Sequence, residues 1–114
     1  MSTLKNKVQL IGRLGQDPEV INLENGKKLT RFSLAVNSSY KDQKGDKIEK
    51  TDWFTITNWD KKAEFAEKYL YKGKEIAIEG KLSARTYETS NGEKRYSMEI
   101  ISDEILLLSD PKSA

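Results

Sequence analysis

With 114 residues the chain is one domain, long enough to bury a core without staples and too short for two domains and a linker, which argues against a catalytic cleft between domains. Cysteine and histidine are both absent. Disulfides, thiolate nucleophiles, Ser-His-Asp arrangements and thiolate or imidazole metal sites are thereby excluded, and only carboxylate, lysine or tyrosine chemistry is left to an enzyme.

The start, Met1-Ser2-Thr3-Leu4-Lys5, holds no apolar run for a signal peptide, and no stretch approaches bilayer length, so the cytoplasm is the default compartment and no membrane partner is expected. From Lys7 to Leu14, Val8, Leu10, Gly12 and Leu14 alternate with Lys7, Gln9 and Arg13, then the chain breaks at Gly15-Gln16-Asp17-Pro18. This predicts a first strand, on which Ile11 is an apolar residue on the outward side. Val20–Leu23, Glu24-Asn25-Gly26-Lys27 and Leu29–Asn37 read as a hairpin with a type I′ turn, its second arm turning Thr30, Phe32, Leu34 and Val36 to one face. Ser38–Lys50 reads as a long charged loop, mobile or ligand-binding, with Tyr40 at its root.

The segment Thr-Asp-Trp-Phe-Thr-Ile-Thr-Asn-Trp-Asp at residues 51–60 carries the most information. In a strand, Asp52, Phe54, Ile56 and Asn58 share one face and Trp53, Thr55, Thr57 and Trp59 the other. Phe54 and Ile56 mark the core side. The opposite side then presents two large rings, about 20 Å apart at roughly 3.3 Å per residue, separated by small threonines. Either this face is a stacking platform, or the sheet is covered on both sides and both tryptophans are core.

Asp60 predicts a helix N-cap, Ala63, Ala66, Tyr69 and Leu70 a helical stripe, and Gly73 a left-handed terminator. Lys74–Leu82 returns to strand with Ile76, Ile78, Gly80 and Leu82 inward, and the alternation carries Arg85 and Tyr87 onto the Lys81 face. Asn91-Gly92 predicts a second hairpin, with Tyr96, Met98 and Ile100 on the core face of its return strand and Ile105–Leu108 as a short apolar ending. This is the element order of an all-β, five-stranded OB-fold Greek-key barrel with one α-helix between strands 3 and 4.

Aromatics alternate with cations on the outward positions: Tyr40 with Lys41, Trp53 near Lys50, Trp59 with Lys61 and Lys62, Tyr87 with Arg85. A single nucleic-acid strand presents unpaired base faces and a phosphate at every nucleotide, so rings that stack and cations that track the backbone suit it. A single exposed lysine is ordinary solvated charge; the co-occurrence points to the ligand.

Asn6-Lys7-Val8 through Gly12, Leu14-Gly15-Gln16-Asp17-Pro18-Glu19-Val20, Phe32-Ser33-Leu34-Ala35-Val36, the Trp53 strand, Lys68-Tyr69-Leu70 with Lys72-Gly73, and Ile78-Glu79-Gly80-Lys81-Leu82 resemble the bacterial-type single-stranded DNA-binding proteins across residues 5–108. The resemblance implies an OB-fold homotetramer, cytoplasmic and nucleoid-associated, that wraps single-stranded DNA without sequence preference in replication, recombination and repair. It implies base stacking at Tyr40, Trp53, Trp59 and Tyr87, backbone contacts at Lys7, Lys61, Lys72 and Arg85, and no catalytic residue, metal or cofactor. Residues 1–108 form the binding domain on this reading and 109–114 a short C-terminal remnant without an acidic tail.

Tyr40 and Tyr87 stand where many members carry tryptophan, which reduces stacking area. Members usually continue into a flexible linker and an acidic tip that recruits replication and repair proteins, whereas this sequence stops at Asp110-Pro111-Lys112-Ser113-Ala114. Either the chain is a tailless relative, of phage or mobile-element origin, or a tail has been removed; such protein partners are expected only in the second case. An OB module for RNA, an oligosaccharide or a protein explains the rings but, for a neutral sugar, not the lysines. An enzyme pairing Asp52 with Glu79 or Glu99 has no glycine-rich phosphate loop or metal-spaced acid cluster behind it.

Overall fold

The computed structural model describes residues 5–111, so the expectations for Met1–Leu4 and for the last three residues of the 109–114 remnant lie outside the described residues. Its elements are β1 (Val8–Leu14), β2 (Glu19–Asn22), β3 (Lys28–Lys41), β4 (Lys47–Trp59), α1 (Lys61–Tyr69), β5 (Glu75–Glu88) and β6 (Lys94–Leu107). Five strands close into a barrel in the order β1-β5-β6-β4-β3, with β1 returning to β3. The short β2 continues along the β3 edge that β1 has just left. The helix lies between the third and fourth barrel strands, as the element order predicts.

Closure depends on glycine at two places where backbones nearly touch. A Cβ on Gly12 would lie 2.3 Å from the Ala35 carbonyl oxygen, where β1 swings from β5 onto β3. A Cβ on Gly80 would lie 2.2 Å from the Ile101 carbonyl oxygen, beside the bulge in the β5–β6 register. Inside, Leu14, Phe32, Leu34, Ile56, Ile76, Ile78 and Ile100 meet Ala66 and Leu70 of the helix segment. Each such large side chain contributes about 1.5–3 kcal/mol by leaving water. Asn58 is buried among them, donating to Thr30 at 3.0 Å and accepting from Ser102, so the one amide ties β3, β4 and β6 together.

Several local expectations change. Asn25-Gly26 does not form a type I′ turn, because only Gly26 has positive φ, at 80°. Leu23 and Lys27 instead close a three-residue loop whose last residue is the left-handed glycine. The same device recurs at Asp42–Asp46 with Gly45 and at Thr89–Glu93 with Gly92. The predicted Ser38–Lys50 loop is therefore almost entirely strand: β3 runs to Lys41, β4 starts at Lys47, and the Asp42 carboxylate accepts from the Lys44 and Asp46 amides to hold the tip. Charged side chains do not oppose a two-stranded ribbon in water, since only its backbone groups need partners.

The helix ends at Tyr69, which is exposed, with Phe65 tilted against it at 5.0 Å between centroids. Gly73 does have positive φ, but in the separate turn Tyr71–Lys74. Asp60 occupies the cap position without a side-chain cap; its φ of 53° turns strand into helix and its carbonyl accepts from Glu64. Tyr96 and Met98 are not core: they are 75% and 53% exposed. The reason is that β6 meets β4 only at Ile100 and Ile101, so the earlier part of β6 pairs with β5 alone in an arm that leaves the barrel.

Ser109–Pro111 are bound onto the barrel. Arg13 donates to the Gly73 and Asp110 carbonyls, Tyr71 donates its hydroxyl to the Asp110 carboxylate at 2.6 Å, and the buried Lys74 ammonium sits 3.0 Å from it. The Tyr71 hydrogen bond, then Lys74, hold the Asp110 carboxyl below its ordinary 3.8, while the Asp110 bond first, then burial, push the Tyr71 phenol above its ordinary 10.0. A lowered acid stabilises above the unfolded value and loses that as pH falls through the folded one; a raised phenol stabilises below its unfolded value and loses that as pH rises through the folded one. The melting-temperature difference between wild type and Asp110→Asn is therefore expected to be largest between these limits and to close at both extremes.

Candidate nucleic-acid interface

Register decides which side chains share the outer sheet face. Thr57 on β4 stands opposite Ile101 on β6, and Ile101 opposite Lys81 on β5. Alternation along each strand then turns Trp53, Thr55, Thr57 and Trp59 to the same side as Lys81, Ser83, Arg85 and Tyr87, the last two on the part of β5 that runs out beyond the β4–β6 pairing. Both tryptophans reach solvent, Trp53 at 60% and Trp59 at 38%, and Tyr87 and Arg85 are exposed. The covered-sheet alternative fails for Trp53. Trp59, beside the buried Leu29 of β3, is partly both platform and packing.

Trp53 is held by what lies under it. A Cβ on Gly15 would fall 2.6 Å from Trp53 Cζ3 and 2.8 Å from Ser33 Oγ, so the ring rests on a glycine and only a residue without a side chain leaves it there. The Ser33 hydroxyl donates to Gln16 and fixes this floor. Thr57 departs from its expected role as an open spacer: it is buried and donates to Glu99 at 2.8 Å.

Tyr40 is exposed, on β3 and paired with Ile48, but its parity is that of Val36 and Leu34. It therefore lies on the reverse of the β3–β4 arm from Trp53. Lys61 is exposed at the helix start, two residues past Trp59. Lys72 is exposed in the turn after the helix, its amide donating to Asp17 near the Gly15 floor. Lys7 is engaged in an ion pair with Glu79. Sequence reasoning passed over Gly15, whose role depends on a ring 38 positions away, and Arg31, which pairs with Thr57 on the outer face. The alternation that turns Phe32 inward was sufficient to find Arg31.

The acids of the enzymatic alternative each have a local partner: Asp52 with Lys50 at 3.6 Å, Glu79 with Lys7, and Glu99 with Thr57.

This arrangement has known counterparts. The single-strand binding protein family matches residues 5–108. The chain belongs to that family. Its family relatives include the single-stranded DNA-binding protein of Neisseria meningitidis serogroup A, 41% identical over 103 residues, and single-stranded DNA-binding protein 1 of Chlorobaculum tepidum, 38% identical over 104. Each alignment covers 90% of this chain but only 59% and 64% of the relative, so the chain spans about three-fifths of their length. Among solved structures, the Plasmodium falciparum SSB complex with single-stranded DNA superposes with a TM-score of 0.86 at 32% identity, covering 96% of this chain and 99% of that one. A deletion mutant of the single-stranded DNA binding protein from Thermus aquaticus gives a TM-score of 0.81 at 28% identity, covering 91% and 50%. The OB-fold barrel expected of the family is the fold described above. No helix among the described residues is long and apolar enough to cross a membrane.

Proposed function

We propose that this single-strand binding family member binds single-stranded DNA without sequence preference, stacking bases on Trp53, Trp59, Tyr87 and Tyr40 while Lys61, Lys72, Arg85 and Lys7 follow the phosphates. The observation that carries this reading is the outer side itself, where two solvent-reaching tryptophans flank Thr57, whose row across the sheet runs through Ile101 to Lys81, with Arg85 and Tyr87 following on the same side of β5. The single-stranded DNA complex of the Plasmodium relative supports it. Because Tyr40 lies behind the β3–β4 arm, a strand that touches all four rings passes around that arm, which is wrapping at the level of one subunit. Lys7 contributes least, since its charge is already balanced by Glu79.

The same reading includes self-association. Ile11, Ala77 and Leu106 stand in one row across β1, β5 and β6 on the outer surface, with Ile11 and Leu106 well exposed. A row of this kind is covered by other copies, and the homotetramer of the family is the assembly proposed. Replication, recombination and repair at the cytoplasmic nucleoid are the setting, without catalysis by this chain.

Tryptophan fluorescence tests the reading. Trp53 and Trp59 are the only tryptophans, so single-stranded DNA is expected to quench strongly and duplex DNA little, because duplex bases are already stacked. Raising salt should weaken the interaction steeply, as counterion release requires. Unchanged emission at saturating oligonucleotide, or salt-independent binding, sinks it.

A further inference from the structure

We propose that Glu99 is a base-edge acceptor inside the single-stranded DNA site and gives the platform a preference for bases that carry an exocyclic amino group over thymine. This rests on the DNA reading above and deepens it. Thr57 stands on the outer side of β4 between Trp53 and Trp59, buried, with its hydroxyl donating to Glu99 Oε2 at 2.8 Å. That bond fixes the carboxylate on the neighbouring strand β6, opposite Ser83 of β5 and short of Arg85 and Tyr87. A strand that runs from the tryptophans to Tyr87 passes over it. Glu99 is half-buried, and among the described residues it has no ion-pair partner and no side-chain donor other than Thr57.

An unneutralised carboxylate repels phosphates, and a neutral amide would tie β4 to β6 through Thr57 equally well. What the carboxylate alone supplies is a group that only accepts hydrogen bonds. Neighbouring strands lie about 4.8 Å apart, so a base stacked on a β4 ring brings an edge over the β6 row. In a single strand the Watson–Crick edges are free to be read there. Cytosine offers its N4 amino group, adenine its N6 amino group, and guanine N1–H beside its N2 amino group, which suits both carboxylate oxygens. Thymine turns two carbonyl oxygens to the same carboxylate, with one N–H between them. Stacking itself accepts every base, so the result is a bias in composition and not recognition of a sequence.

The test is the ratio of affinities for deoxycytidine and thymidine oligomers of about eight nucleotides, within the span of one fold. The two have the same backbone charge and ring size, and at neutral pH neither base is charged. Glu99→Gln keeps an acceptor for Thr57 but replaces one carboxylate oxygen with an amide donor, which can serve thymine. Removal of the negative charge strengthens binding of both oligomers by a common factor that cancels in the ratio. Titration of tryptophan fluorescence is expected to show the cytidine-to-thymidine affinity ratio falling by about three- to tenfold in Glu99→Gln, the loss of one hydrogen bond. Thr57→Val removes the hydroxyl that fixes the carboxylate at nearly constant shape and is expected to lower the same ratio, which serves as the second measurement should Glu99→Gln melt early. A ratio unchanged in both variants, with the two affinities moving together, overturns the proposal and leaves the DNA reading standing, because a purely structural or electrostatic role does not distinguish the bases. Failure of both oligomers to bind the unmodified protein overturns the DNA reading and this proposal with it.

Discussion

Trp53→Ala is expected to reduce affinity for single-stranded DNA by about 1–3 kcal/mol, five- to more than a hundredfold, while leaving the melting temperature nearly unchanged. The ring is 60% exposed and rests on Gly15, so its removal deletes a stacking surface without opening a core cavity. Trp59→Ala is expected to lose affinity by a similar factor but to cost stability as well, because that ring packs beside Leu29. Phe32→Ala supplies the opposite limit: a fully buried aromatic whose truncation costs about 3–5 kcal/mol of folding stability. Thermal melts and fluorescence or anisotropy titrations of these variants separate the two effects. A Trp53→Ala protein that melts far below wild type, with unchanged affinity per folded molecule, contradicts the platform.

Gly12→Ala is expected to destabilise the protein by about 3 kcal/mol or more, at the upper end of overpacking costs. The added methyl would sit 2.3 Å from the Ala35 carbonyl oxygen, and the obstacle is backbone, which cannot rotate aside as a flexible side chain does. Relief requires β1 to move off β3 at Arg13–Ala35 and Leu14–Leu34, the pairs that close the barrel. Gly26→Ala is the contrasting control, since nothing lies within 4 Å of its Cβ position and only its φ of 80° opposes the change. That conformational cost is about 1 kcal/mol. Chemical denaturation of both variants checks the ranking, and a Gly12→Ala protein as stable as Gly26→Ala would show that closure does not depend on the close approach.

What the sequence by itself determined was everything written in a local period. Val8, Leu10 and Leu14, Phe32 and Leu34, and Ile76 and Ile78 fall on the core side by alternation alone, and Trp53 and Trp59 on the other, because successive side chains in a strand point to opposite faces wherever the strand lies. The aromatics interleaved with cations were legible for the same reason, and the motif resemblance added the ligand class. Alternation says which residues share a side, but not whether anything covers it. Only the tertiary structure decided that Tyr96 and Met98 sit in solvent, since β4 meets β6 at just two residues, and that Tyr40 lies behind the arm carrying Trp53, since the expected loop is strand. It also decided that Thr57 is buried against Glu99, that Gly15 is the floor of a ring far along the chain, and that Asp110 gathers Tyr71 and Lys74 into a latch. Each of these depends on a partner tens of residues away, brought near by barrel closure, and contacts of that range leave no trace in the periodicity of either segment.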